Sequence, residues 1–314
     1  MLPFKLVYHA GYDLNLGAHV FPSKKYHLIH DHLLKDGTAE KSDFVEPEPA
    51  TDDDILLVHG HGWVERLKTG TLSVRELMTL EIPYSEKTVH AFWLAAGGTI
   101  LAARNALRDR IGFNIGGGFH HAFPDHGEGF CAIHDVAVAI RKLQKEGLIE
   151  RVMVVDCDCH HGNGTAAIFA RDRTVFTLSM HQFNNYPDDK PPSTIDIHLR
   201  DETGDEEYVS RLRQALNVAM DFKPGLLVYI AGADPYVDDQ LGGLGLTIEG
   251  LQERDRVVFE AAVTRGIPAV VTLAGGYAHH VTDTVEIHCN TVREARNVLT
   301  GRKSGPPRPT STAH

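Results

Sequence analysis

Seven short apolar runs recur along the chain, at Phe4 to Tyr8, Ile55 to Val58, Ile111 to Ile115, Val152 to Val155, Val175 to Leu178, Leu226 to Ile230 and Ala269 to Leu273. None alternates with polar positions, so each reads as a strand covered on both faces, as in a parallel sheet. Several of the stretches between them carry helical spacing instead. Ile133, Val136, Ala137, Ile140 and Leu143 follow it, with Gly147 at the C-terminal stop. Tyr208, Leu212, Ala215, Leu216 and Met220 repeat the pattern. Thr247 reads as the N-cap of a further helix, with Glu249 near its start and an end near Gly266. The alternation predicts an α/β fold, a three-layer α/β/α sandwich with a central, mostly parallel sheet. Glu46 to Asp54 and Asp188 to Glu207 read as surface loops, and a Pro/Ser/Thr-rich tail, 302–314, follows a single domain spanning 1–301.

Composition narrows the function classes. The 314 residues are 42% hydrophobic and 23% charged, enough to build one large core. A net charge of -11, with no basic block, argues against nucleic acid as a partner. No apolar run approaches the roughly 18 residues of a membrane span, and the N-terminus runs straight into a strand pattern. The expected location is cytoplasmic. Cys131, Cys157, Cys159 and Cys289 are too few and too unevenly spaced for a disulfide scaffold, which fits a reducing compartment.

In an open parallel sheet, ligands gather beyond the carboxyl ends of the strands. Four such junctions are polar and glycine-rich: GGGFHHAFPDHGEGF from Gly116, DCDCHHGNG from Asp156, AGADPYVDDQLGG from Ala231 and AGGY from Ala274. If Val152 to His160 is extended, Asp156, Asp158 and His160 share one face, and Cys157 and Cys159 take the other. The thiols then read as core residues. Asp234, from a separate strand end, supplies a third ligand, and two carboxylates with one imidazole leave a zinc ion an open position for water or substrate. His120 and His121 stand beside this junction, where an imidazole can take and return a proton. Tyr277 follows two glycines that permit a tight turn; it reads equally as a core aromatic and as a hydroxyl aimed at the crevice.

Taken together, GGGFHH, GFCAIHD, DCDCHHGNG, GADPYVDDQLGGL, AGGY and the early HVFPSKKY (His19 to Tyr26) resemble the histone deacetylase superfamily, from about Phe4 to Asn290, and most of all its class IV. The resemblance implies the arginase-deacetylase fold and a zinc-dependent hydrolase that removes acetyl or longer acyl groups from lysine. It implies zinc ligation by Asp158, His160 and Asp234 and catalysis by His120, His121 and Tyr277. It implies a structural potassium held by Asp156 and Ser179 with the carbonyls of Asp158, His160 and Met180. Asp156 would orient the first histidine and Asn163 the second. Gly129, Phe130, Tyr186, Leu241, Gly275 and Gly276 would line the substrate channel.

Asn163 stands where many deacetylases carry an aspartate. An amide orients an imidazole without adding charge, so His121 is expected to be less basic than it would be beside a carboxylate. The rim aspartate common in the family has no clear counterpart between Leu80 and Glu86. The partner is thus an acylated lysine of a protein or peptide, or a small acylated amine such as an acetylpolyamine. An arginase-like ureohydrolase would need a second metal whose ligand pattern is poorly met. A silent acyl-lysine binder or scaffold is the reading from another class, and a complete set of catalytic residues argues against it.

Overall fold

The computed structural model describes residues 1–302. The expected tail, from residue 303 on, lies outside them. Eight strands form one parallel sheet: β1 (Lys5–Val7), β2 (Phe44–Val45), β3 (Ile111–Asn114), β4 (Val152–Asp156), β5 (Val175–Gln182), β6 (Ile195–Leu199), β7 (Leu226–Ile230) and β8 (Ala269–Thr272). Their order is β2-β1-β3-β8-β7-β4-β5-β6. The described residues hold ten α-helices: α1 (Lys25–Lys35), α2 (Asp52–Ile55), α3 (His61–Thr69), α4 (Val74–Leu80), α5 (Glu86–Asp109), α6 (Asp135–Lys145), α7 (Asn163–Phe169), α8 (Asp205–Ala219), α9 (Ile248–Val263) and α10 (Val281–Thr300).

The central strands β3, β8, β7 and β4 are buried at every position, as continuous apolar runs require. These four are also consecutive neighbours in the sheet, although the chain visits them out of order. The four glycine-rich junctions therefore leave adjacent strand ends, and that adjacency builds the crevice.

The helix reading is upheld where it was made. Gly147 follows α6 with φ +69°, and the Thr247 side chain accepts from Gly250 N at the start of α9. Three expectations are corrected. Ile55 to Val58 is not a strand: Thr51 and Asp54 form a capping box, Asp52 and Asp53 fill the first turn, and the apolar run continues on helical turns. The supposed loop Glu46 to Asp54 accordingly ends in α2. The supposed loop Asp188 to Glu207 holds the edge strand β6, whose Ile195-Asp196-Ile197-His198-Leu199 alternates because one face is half exposed, together with the first turn of α8.

Between α2 and α3, His59 is buried and its Nε2 accepts the His134 main-chain N–H at 3.0 Å, tying this turn to the start of α6. Burial lowers the His59 pKa from 6.5 to about 4. The unfolded chain therefore takes up this proton first as pH falls, so the stability tied to neutral His59 is complete above about pH 6.5 and is lost towards pH 4. The shift corresponds to roughly 3 kcal/mol. His59→Gln keeps the acceptor and removes the titration. Urea unfolding should show a shallower loss of stability between pH 6.5 and 4 in this variant, and an unchanged slope would contradict the assignment.

Candidate active site

The strand β4 ends at Asp156, two residues before the first expected ligand. Extended geometry through His160 is therefore corrected. Asp158 N donates to Asp156 Oδ1 at 3.1 Å and His160 N to Asp158 Oδ1 at 3.0 Å, so each aspartate bends the chain through its own side chain. The bends still separate the side chains. Cys159 Sγ turns to Gln182 Oε1, and burial pushes the thiols of both Cys157 and Cys159 up.

Asp158, His160 and Asp234 converge, fully buried, at the adjacent ends of β4 and β7. His160 Nδ1 lies 3.1 Å from Asp158 Oδ1 and 3.1 Å from Asp234 Oδ2. Each carboxylate is held through its other oxygen: Gly275 N donates to Asp158 Oδ2 at 2.9 Å, and Cys159 N to Asp234 Oδ1 at 2.8 Å. Gly275 is required here, because a Cβ would stand 2.2 Å from Asp234 Oδ2. Burial would lower the His160 pKa, yet its two carboxylate partners raise it well above the usual histidine range. Burial, then the Asp158 charge, pushes the Asp234 carboxyl up. The site thus draws a positive charge to one point between three atoms. Two ligands on a tetrahedral zinc lie roughly 3.3–3.5 Å apart. The oxygen–nitrogen–oxygen set fits such an ion.

His120 and His121 arrive on the loop after β3. Gly118 N and Phe119 N donate to the buried Asp135 carboxylate at 3.0 and 2.8 Å, and Gly118, with φ +87°, packs its backbone against Ala274. His120 Nδ1 lies 2.7 Å from Asp156 Oδ2. Burial opposes its protonation, but Asp156 and Asp158 carry its pKa up to about 9. His121 Nδ1 lies 2.8 Å from Asn163 Oδ1. Burial, with His120 and His160 as neighbouring cations, holds its pKa well below the usual value. Two adjacent imidazoles are therefore driven apart in charge.

A small cavity of about 20 Å³ adjoins these groups and is lined by Phe21, Gly129, Phe130, Gly275 and Tyr277, among others. Tyr277 is buried, with its ring centroid 6.3 Å from that of His160, and it lines the cavity. Tyr186 stands edge-on to His121 at 5.0 Å, outside the cavity lining. Two further expected channel residues, Gly276 and Leu241, are also absent from that lining. Gly276 turns away, its α-carbon facing Ala233 and Thr284, and Leu241 offers its carbonyl to Asn185 Nδ2 at 2.8 Å. Asp156 and Ser179 are register partners on β4 and β5, Met180 follows in the core, and Ser179 Oγ lies 2.9 Å from His181 Nδ1.

The model of the histone deacetylase domain matches residues 19–292, which span all of these groups. The chain belongs to the histone deacetylase family. An uncharacterized protein of Picosynechococcus is 38% identical over 94% of this chain and 99% of its own length. Histone deacetylase 2 of Arabidopsis thaliana is 33% identical, covering 90% of this chain and 77% of the plant protein. The crystal structure of an HDAC homolog from Aquifex aeolicus superposes with a TM-score of 0.79 at 24% identity, over 96% of this chain and 85% of that one, and shares the fold.

This histone deacetylase-family chain also supports its site with residues that the sequence reading missed. Lys25 is wholly buried and donates to the carbonyls of Ala274 and Gly275 at 2.6 and 3.0 Å, beneath the AGGY turn. Burial lowers its pKa to about 8 against the pull of Asp234 and Asp158. The motif HVFPSKKY held the signal, but two adjacent lysines gave no basis for choosing between them. Arg254 of α9 is equally buried. It donates to Gly232 O at 2.5 Å and, more weakly, to Cys157 O, clamping the β7 and β4 loops together. Asp255, also buried, accepts from Arg254 Nη2 at 2.8 Å and from Tyr229 Oη at 2.5 Å.

Removing one partner of a buried pair strands the other charge and costs about 3–5 kcal/mol. Arg254→Leu should lower stability by that amount in urea unfolding, whereas the double change with Asp255→Asn should lose much less than the sum of the two single changes. Additive losses would contradict the coupling.

Proposed function

We propose that the chain is a zinc-dependent lysine deacylase, cleaving the amide between an acyl group and the ε-amine of a lysine. The observation that carries this reading is the convergence of Asp158, His160 and Asp234 beside two histidines whose partners differ, a carboxylate for His120 and an amide for His121. A zinc ion held by those three residues supplies Lewis-acid charge to the substrate carbonyl when bound. The remaining steps belong to the chain's own side chains.

Asn163 Oδ1 also accepts the Gly164 main-chain N–H at 3.0 Å, so it is the amide oxygen that faces His121. His121 Nδ1 must then carry the hydrogen, leaving Nε2 as the free base. His121 takes the proton of the attacking water. His120, made cationic by Asp156, delivers a proton to the departing amine. Burial, with the nearby Asp158 and Asp234 charges, keeps the Tyr277 hydroxyl protonated, and it donates to the carbonyl oxygen as negative charge develops. Gly129, Phe130 and Tyr186 confine the lysine stem. A potassium ion at Asp156, Ser179 and the carbonyls of Asp158, His160 and Met180 belongs to the same reading, as a brace for the first-histidine loop. Asn163 behind His121 supports class IV membership.

Hydrolysis of lysine peptides carrying acetyl through longer acyl groups, alongside acetylpolyamines, tests the substrate class directly. Loss of one oxyanion donor typically costs about 10²–10³ in rate. Tyr277→Phe should lose that much kcat while its zinc content stays at the wild-type level. Near-normal turnover would overturn the role of Tyr277.

A further inference from the structure

The amide behind His121 is not the end of its support. Asn163 Nδ2 donates to Glu128 Oε2 at 2.9 Å, and Tyr186 Oη donates to the same oxygen at 3.2 Å. The other oxygen, Glu128 Oε1, lies 3.0 Å from His126 Nε2, and His126 Nδ1 lies 2.8 Å from Asp125 Oδ1. Glu128 is rigidly presented. Its main chain pairs with Cys131, and the next two residues donate to Thr79 O and Leu80 O at 3.2 and 2.9 Å. Gly129 then lets the chain pass His121 and Tyr186, since a Cβ there would come within 2.9 Å of both rings.

We infer that Glu128 is a positioning residue for the proposed hydrolysis: acting through Asn163, it fixes the amide orientation that holds His121 in the Nδ1–H form and restores, one residue further out, the negative charge that Asn163 lacks. This inference rests on the deacylase reading and extends it. An asparagine alone could rotate and offer its NH₂ to the imidazole, which would select the wrong tautomer. Two unambiguous partners prevent that rotation. Gly164 N–H can only donate to Asn163 Oδ1, and a carboxylate can only accept from Asn163 Nδ2. His126 and Tyr186 keep Glu128 ionised, by hydrogen bonds that outweigh its partial burial. Tyr186 acquires two functions, as the wall beside His121 and as an anchor for Glu128. The immediate partner of His121 is the expected amide, and a carboxylate stands behind that amide.

Sign reversal in a double-mutant cycle tests the inference. Glu128→Gln is isosteric and should lower kcat about tenfold with KM within about twofold and zinc content unchanged, the pattern of a lost contribution to the transition state. Asn163→Asp should be harmful in the wild type, where it sets a second carboxylate against Glu128. In the Glu128→Gln background it should restore kcat to within about threefold of wild type, because the charge then sits directly on the imidazole. Nitrogen NMR of His121 should show the Nδ1–H form in the wild type and a tautomer mixture in Glu128→Ala, independently of turnover. Equal harm from Asn163→Asp in both backgrounds, or unchanged kcat in Glu128→Gln, would overturn the role of Glu128 in an otherwise active enzyme. A wild-type chain that cleaves no acyl-lysine would instead overturn the deacylase reading, and this inference with it.

Discussion

Two buried carboxylates facing one imidazole nitrogen dominate this molecule. Placing Asp158 and Asp234 together in an interior far from water is strongly unfavourable unless positive charge lies between them. Much of the surrounding structure serves that arrangement. Main-chain N–H groups of Gly275 and Cys159 take up the outer carboxylate oxygens, so that the inner ones point at a common centre. Lys25 and Arg254 hold the carbonyls of the loops that carry these groups, and the ammonium and guanidinium add positive charge just behind the acidic cluster. The parallel sheet is what makes the arrangement possible, since four adjacent strand ends deliver the four loops.

The same acidic centre sets the difference between the two histidines. His120 is drawn towards the cation by Asp156 and Asp158, and His121, with an amide as its immediate partner, is left neutral beside it. One imidazole that holds a proton and one that can receive it are the complementary pair that amide hydrolysis requires. Neither state belongs to histidine as such. Each is imposed by its surroundings, two carboxylates for His120, and burial beside two other imidazoles for His121.

The sequence made the centre legible because ligands in such a sheet follow strand ends, and the apolar runs before Asp156, Asp234 and Tyr277 are unbroken. It mattered little that the extended geometry assumed through His160 proved to be a series of bends, since side-chain-to-backbone bonds turned the ligands inward by another route. Strands without continuous apolar runs escaped notice: β6 alternates and β2 is two residues long. Ile55 to Val58 misled for the opposite reason, an apolar run whose capping box and acidic first turn outweigh its β propensity. Supporting charges were the least legible. Lys25, Arg254 and Glu128 lie 249, 22 and 35 residues from the groups they hold, and no local spacing encodes such contacts.

We propose that Asp158, His160 and Asp234 together hold one catalytic zinc. X-ray absorption at the zinc edge of the purified, zinc-loaded chain measures the ligands directly. The account predicts one zinc per chain in a shell of oxygen and nitrogen at about 2.0–2.2 Å, with a single imidazole and no sulfur, and loss of that zinc in Asp234→Asn. A zinc–sulfur distance near 2.3 Å, which would bring Cys157 or Cys159 into the shell, or zinc retained unchanged in Asp234→Asn, would contradict it.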